Sequence, residues 1–125
     1  MVSPEGEILD SYDTLVNPER DIGPTSIHQI RSSDVMRAPR FSEIAGDVLQ
    51  LLGSATAVAA HNARFDQAFL VQEFRRLNVA FPEIPLICTC NLMARQNLRA
   101  CCDELGITIQ GLQHRAISDA HACAQ

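Results

Sequence analysis

Two stretches of the chain repeat hydrophobic residues with the period of an α-helix. In residues 41–52, apolar side chains recur every three or four positions, and Gly53 follows as a stop signal. In residues 64–77, the apolar stripe contains Leu70 and Phe74. Each pattern predicts an amphipathic helix that packs its apolar face against a core.

Short uncharged runs flank the second of these helices. Residues 56–60 are small and partly β-branched, and residues 84–89 form another apolar run. A strand, a helix and a second strand make a βαβ unit, in which the two strands pair in parallel through a right-handed crossover. The sequence therefore predicts an α/β fold.

The two ends of the chain predict further elements. A turn at residues 3–6 precedes a predicted strand at residues 7–16. Only two residues stand before this turn, too few to pair with that strand, so we expect the chain to begin inside a domain. Helices are predicted at residues 97–105 and 115–125, and the last of them stops without a capping residue.

The composition is that of one globular domain. The chain has 125 residues, of which 46% are hydrophobic and 20% charged. Its formal net charge of −5 argues against a broadly basic nucleic-acid-binding face, but leaves room for a local site where metal ions neutralise carboxylates. We find no transmembrane run and no signal peptide. The five cysteines lack the spacing of a disulfide framework, which favours reduced thiols and a cytoplasmic location.

A carboxylate interrupts the apolar stripe of the second helix. Asp66 stands four residues before Leu70, in the first turn after the predicted strand. The helix macrodipole favours an acid there, while the carboxyl end of a strand is also where α/β sheets bind ligands. Asn62 either bonds to its own backbone in a loop or positions a substrate. The residues alone leave both choices open.

Two motifs carry a family resemblance. Residues 61–70, His-Asn-Ala-Arg-Phe-Asp-Gln-Ala-Phe-Leu, resemble the second motif of the DEDDh 3′–5′ exonucleases, which include the proofreading epsilon subunit of bacterial DNA polymerase III. Residues 114–120, His-Arg-Ala-Ile-Ser-Asp-Ala, are similar to the third motif. The resemblance implies a ribonuclease H-like mixed sheet with flanking helices. We expect residues 1–125 to be a partial exonuclease domain that lacks the first strand and the end of the C-terminal helix.

The resemblance also implies a metal site. Asp66 and Asp119 match two of the family's four metal-binding carboxylates, and His114 matches its general base. Mg²⁺ or Mn²⁺ is implied, because both ions prefer oxygen ligands, and two ions about 4 Å apart assist phosphodiester hydrolysis. The plainer interpretations stay open, with Asp119 as an ordinary polar residue early in a helix and His114 as a loop residue.

The family's first motif, an Asp-x-Glu pair, has no match. Residues 5–7 have the spacing but lie in the predicted turn, and Asp10 and Asp13 would point to opposite faces of a strand. We therefore expect weak metal binding and impaired activity. Gln29 stands where the family tends to have a glycine. A rival zinc site built from the cysteines and His114 has unsuitable spacing, so core thiols are the expectation.

Two functions remain. The first is a 3′–5′ exonuclease acting on the 3′ end of single-stranded DNA or RNA, with Asn62 and Phe65 binding the substrate. Stacking of Phe65 on a base competes here with simple core packing. The second is an inactive nucleic-acid-binding or protein-interaction fragment of a replication or repair protein, with a polymerase, a helicase or a fused nuclease domain as its partner.

Overall fold

The computed structural model describes residues 1–94, 96–111 and 115–125 of the chain. Helices and strands are interspersed within these residues, which confirms the prediction of an α/β fold. Along the chain the elements are α1 (Thr25–His28), α2 (Ser32–Val35), α3 (Phe41–Ser54), β1 (Val58–Ala60), α4 (Ala63–Arg76), β2 (Leu86–Cys88), α5 (Thr89–Leu92), α6 (Leu98–Leu105) and α7 (Ala116–Cys123).

The predicted βαβ unit is confirmed. Strand β1 pairs with β2 in parallel, with Val58 opposite Leu86 and Ala60 opposite Cys88, and α4 connects them. Both strands are shorter than the apolar runs that predicted them. Their carboxyl ends lie side by side, so the residues that follow β1 and β2 meet at one edge of the sheet.

Helix α3 forms where its apolar pattern predicts, but Gly53 does not end it. The helix continues to Ser54, and Ala55 adopts an extended conformation as the C-cap. The Ser54 hydroxyl donates to the carbonyls of Gln50 and Leu51, which are among the last carbonyls of the helix. These bonds satisfy the final turn without a left-handed glycine.

Phe74 of α4 is the centre of the core. Its side chain is completely buried. The Phe41 ring meets it edge to face, with ring centroids 5.1 Å apart, and the Phe81 ring lies 5.9 Å away on a tilted plane. The apolar stripes of α3 and α4 therefore pack as their sequences predict.

The predicted strand at residues 7–16 is wrong. The turn at residues 3–6 forms, but it leads to a single antiparallel bridge, between Val2 and Ile8. A strand needs a partner to satisfy its backbone groups, and in the described part of the chain the next bridge comes only at Asn17, opposite Arg40. Ile8 and Leu9 are consequently exposed.

The C-terminal helices agree with the sequence more closely. Asn97 caps α6 by accepting a hydrogen bond from the Ala100 N–H at 2.9 Å, and Gly106 ends it in the left-handed conformation. Helix α7 lies within the predicted range. None of the helices that the structure describes is both long and apolar enough to cross a bilayer. All five cysteines are free thiols.

Candidate functional site

The turn between β1 and α4 is made by one residue in an unusual conformation. Asn62 has φ +69°, in the left-handed region that asparagine tolerates better than most residues. Its carbonyl accepts a hydrogen bond from the Phe65 N–H at 2.8 Å. Its side chain makes no capping bond to the helix. The left-handed conformation explains why an asparagine suits this turn. The amide side chain is not used to cap α4.

Asp66 lies in the first turn of α4, as predicted. Burial raises the pKa of this carboxyl, and a bond from its own backbone N–H opposes the rise only in part. The protein around Asp66 therefore disfavours its negative charge. A cation beside the carboxylate would reverse that effect.

Asp119 lies in the first turn of α7 and is half-buried. Burial is the main cause of the raised pKa of the Cys123 thiol, and the charge of Asp119 adds to the rise. The backbone N–H of His61, which directly precedes the Asn62 turn, opposes the rise in the Cys123 pKa. Helix α7 thus touches the end of β1 that leads to Asp66. The third predicted residue, His114, lies outside the described residues.

His61 and Thr89 are site residues that the sequence analysis missed. The Nδ1 of His61 lies 3.1 Å from the Thr89 Oγ1, and its Nε2 lies 2.9 Å from the Gln96 carbonyl oxygen. The pKa of the neighbouring Cys88 thiol is lowered because backbone N–H groups, first that of Asn91 and next that of Ala63, donate to its sulfur. Polar groups that follow β1 and β2 therefore contact one another at the carboxyl edge of the sheet.

Phe65 does not pack in the core, and the interpretation that it does is wrong. Its side chain is 60% exposed, and Phe69 one turn later is 44% exposed. Their rings lie at a tilt with centroids 4.9 Å apart. Together they present an aromatic surface on the outside of α4.

An open groove of about 540 Å³ reaches both motif-bearing helices. Its size is that of a typical small-molecule site. Residues of α3, α4 and the N-terminal segment line the groove. Ala116 brings the start of α7 to the groove as well. Lining residues include Tyr12, Phe41, Phe69, Leu70, Arg76 and Ala116.

Side chains that could bind a metal ion do not cluster in the described part of the chain. Nowhere in residues 1–94, 96–111 and 115–125 do three or more His, Cys, Asp or Glu side chains come together as a metal site would require. The groove touches α4 and α7, but neither Asp66 nor Asp119 is among the residues that line it.

Comparisons with known proteins agree with the motif resemblance. The family model RNase_T, described as Exonuclease, matches residues 1–125. The DNA polymerase III subunit epsilon of Haemophilus influenzae is 36% identical, with 87% of this chain and 47% of the relative covered. The DNA polymerase III PolC-type of Oceanobacillus iheyensis is 32% identical, with 94% and 9% covered. The 3′-5′ exonuclease DinG of Staphylococcus epidermidis is 29% identical, with 62% and 9% covered. The chain spans less than half the length of each of these relatives.

Proposed function

Because the chain belongs to the exonuclease family whose model matches residues 1–125, we propose that it acts as a 3′–5′ exonuclease domain on the 3′ end of single-stranded DNA or RNA. The observation that carries this proposal is that α7 packs against β1, the strand that leads directly into α4. These two helices bear Asp66 and Asp119, the acids of the second and third motifs. A relative named as a 3′-5′ exonuclease supports this direction of cleavage.

A divalent cation fits the residues at this site in part. Asp66 and Asp119 offer the hard oxygen ligands that Mg²⁺ and Mn²⁺ prefer. Partial burial raises the pKa of Asp66, and a cation beside the carboxylate would oppose that rise. When bound, such an ion supplies an activated water and neutralises charge on the phosphate. With two carboxylates, we expect weak binding.

Three further residues are proposed to act on the attacking water or on the substrate. His114 is proposed as the general base for the attacking water, on the strength of the third motif and of the pKa range of imidazole. Phe65 is proposed to stack on a base, and its 60% exposure supports that role. Stacking on an aromatic side chain is worth about 1–3 kcal/mol per base. Asn62 is proposed to contact the terminal nucleotide.

A titration with Mn²⁺, followed by NMR, tests the metal site. We expect paramagnetic broadening of the Asp66 and Asp119 amides at Mn²⁺ concentrations that leave the Asp47 amide on α3 unchanged. The shared site is refuted if Asp66 and Asp119 stay sharp while nonspecific broadening develops elsewhere. Asp66→Asn and Asp119→Asn each remove one ligand with little change of shape, so either variant should weaken the effect.

A second candidate function is a binding module without hydrolysis, and one observation favours it. The Asp-x-Glu pair has no counterpart among residues 1–125, so two of the family's four carboxylates are missing from this chain. Such a module would contact nucleic acid, a polymerase, a helicase or a fused nuclease domain in the cytoplasm.

One assay separates the two functions. Fluorescence anisotropy of a 3′-labelled single strand measures binding, and electrophoresis of the same sample measures cleavage. Binding that is weakened by Phe65→Ala, without loss of the 3′ nucleotide, identifies the binding module. Cleavage that Asp119→Asn abolishes identifies the exonuclease. Cleavage that survives Asp119→Asn contradicts the assignment of this residue.

A further inference from the structure

A chain of polar contacts joins three elements at the carboxyl edge of the sheet. The Thr89 Oγ1, at the start of α5, lies 3.1 Å from the His61 Nδ1 at the end of β1. The same oxygen lies 3.9 Å from the Cys123 Sγ in the last turn of α7. Thr89 of α5 therefore contacts both the end of β1 and the last turn of α7.

One arrangement of protons satisfies all of these contacts. The Gln96 carbonyl can only accept, so the His61 Nε2, 2.9 Å away, carries a proton and donates it. In a neutral ring Nδ1 then accepts, and the Thr89 hydroxyl donates to it. The Thr89 oxygen keeps lone pairs free to accept from the Cys123 thiol. Each group in this half-buried network has a partner, so none of them loses hydrogen bonding by its partial removal from water.

The network is placed to control the geometry of the acids. Cys123 follows Asp119 by four residues, so both side chains project from the same face of α7. On the other side, His61 precedes α4 by two residues, and Asp66 lies in the first turn of that helix. A shift of α7 away from Thr89 would carry Asp119 away from the β1–α4 turn.

We propose that Thr89 is a positioning residue whose hydroxyl holds α7 against the β1–α4 turn and thereby fixes where Asp119 stands relative to Asp66. The importance of that placement rests on the function proposed above. The contacts of the Thr89 hydroxyl with His61 and Cys123 do not depend on a metal ion or a substrate. They can therefore be measured separately.

Two substitutions isolate the hydroxyl. Thr89→Val keeps the shape of the side chain and removes the oxygen, whereas Thr89→Ser keeps the oxygen and removes a methyl group. We expect amide hydrogen exchange of α7 to become roughly fivefold faster in Thr89→Val, the effect of losing the one hydrogen bond that Thr89 makes to α7. Exchange of α3 should stay unchanged, and Thr89→Ser should resemble the wild type.

A second variant covers the case in which Thr89→Val unfolds the whole domain. Cys123→Ala removes only the sulfur end of the network and leaves the contact between Thr89 and His61 intact. It should loosen α7 to a similar degree. The double variant should add little, because both changes break the same link.

Mn²⁺ broadening then tests whether the contacts of Thr89 affect the relative positions of Asp66 and Asp119. In Thr89→Val we expect the ratio of broadening at Asp119 to that at Asp66 to fall, and in Thr89→Ser to be restored. Unchanged α7 exchange in both Thr89→Val and Cys123→Ala overturns the proposal, and so does an unchanged broadening ratio. If the wild type shows no broadening at either acid, the proposed metal site fails, while exchange still decides whether Thr89 holds α7.

Discussion

Gly111 and Ser118 approach each other so closely that no side chain fits between them. A Cβ added at Gly111 would lie 2.7 Å from the Ser118 Oγ, and Gly111 has φ +89°, which other residues rarely adopt. Ser118 is buried in α7, next to Asp119. We expect Gly111→Ala to lower the free energy of unfolding by about 1–3 kcal/mol through strain and crowding. Urea denaturation measures the loss.

A double variant separates the two causes. Ser118→Ala removes the oxygen that a new methyl group would strike. The pair Gly111→Ala and Ser118→Ala should therefore recover the steric part of the loss and keep the backbone part. If the double variant is as unstable as the sum of the single variants, the contact between residues 111 and 118 is not the cause.

The sequence predicts the helices and the parallel strands well because their signals are local. The apolar stripe that contains Phe74 requires only a period of 3.6 residues, and Phe74 is completely buried as that stripe predicts. The strand at residues 7–16 has an equally plausible pattern and does not form. A strand depends on a neighbour, and no local pattern reveals whether that neighbour is present.

The candidate site likewise contains residues that the sequence predicts and contacts that the sequence does not predict. The sequence predicts Asp66 and Asp119 as site residues because each stands in a recognisable motif, and Asn62 lies in the turn between β1 and α4. The links from His61 to Thr89 and from Thr89 to Cys123 join residues 28 and 34 positions apart. A threonine after a strand carries no mark of such a link in the sequence, so only the three-dimensional structure shows it.

Gln29 occupies a backbone conformation that suits glycine. It has φ +56° as the C-cap of α1, and its N–H donates to the Thr25 carbonyl at 2.8 Å. A residue with a Cβ pays a steric cost in the left-handed region that glycine avoids. We expect Gln29→Gly to raise the free energy of unfolding by about 0.5–1 kcal/mol. Thermal denaturation measures the gain as a higher Tm.

The matched control for Gln29→Gly keeps the Cβ. Gln29→Ala shortens the side chain but leaves the steric cost in place, so it should give no gain in Tm. Equal stabilisation by alanine and glycine would show that the glutamine side chain, and not its backbone conformation, is the unfavourable feature.

Phe74 should be the least replaceable aromatic residue of α4. It is completely buried between the rings of Phe41 and Phe81. Phe74→Leu leaves unfilled space there and should lower the free energy of unfolding by about 1–3 kcal/mol. Phe69→Leu, on the same helix but 44% exposed, should cost less than about 1 kcal/mol. A reversed order of these losses would contradict the assignment of Phe74 to the core.

The raised pKa of Asp66 predicts a stability profile with a definite sign. Because burial lifts the pKa of the folded state above the ordinary value of 3.8, the folded protein binds this proton more tightly than the unfolded chain does. The favourable contribution of the protonated form is complete below pH 3.8 and is lost as the pH rises through the folded pKa. Asp66→Asn should therefore be more stable than the wild type at pH 7 and lose that advantage near pH 3.

The size and the metal dependence of this effect complete the prediction. Asp66 is exposed, so solvent screening limits the gain at pH 7 to less than about 1 kcal/mol. Asp13→Asn removes one negative charge from another exposed site and is the control for the change in net charge. Saturating Mn²⁺ should raise the Tm of the wild type more than that of Asp66→Asn, since an ion that binds only the folded state stabilises it. An Asp66→Asn variant that is less stable than the wild type at pH 7 without metal would mean that the carboxylate already has a favourable partner, and the case for a cation beside it would fall.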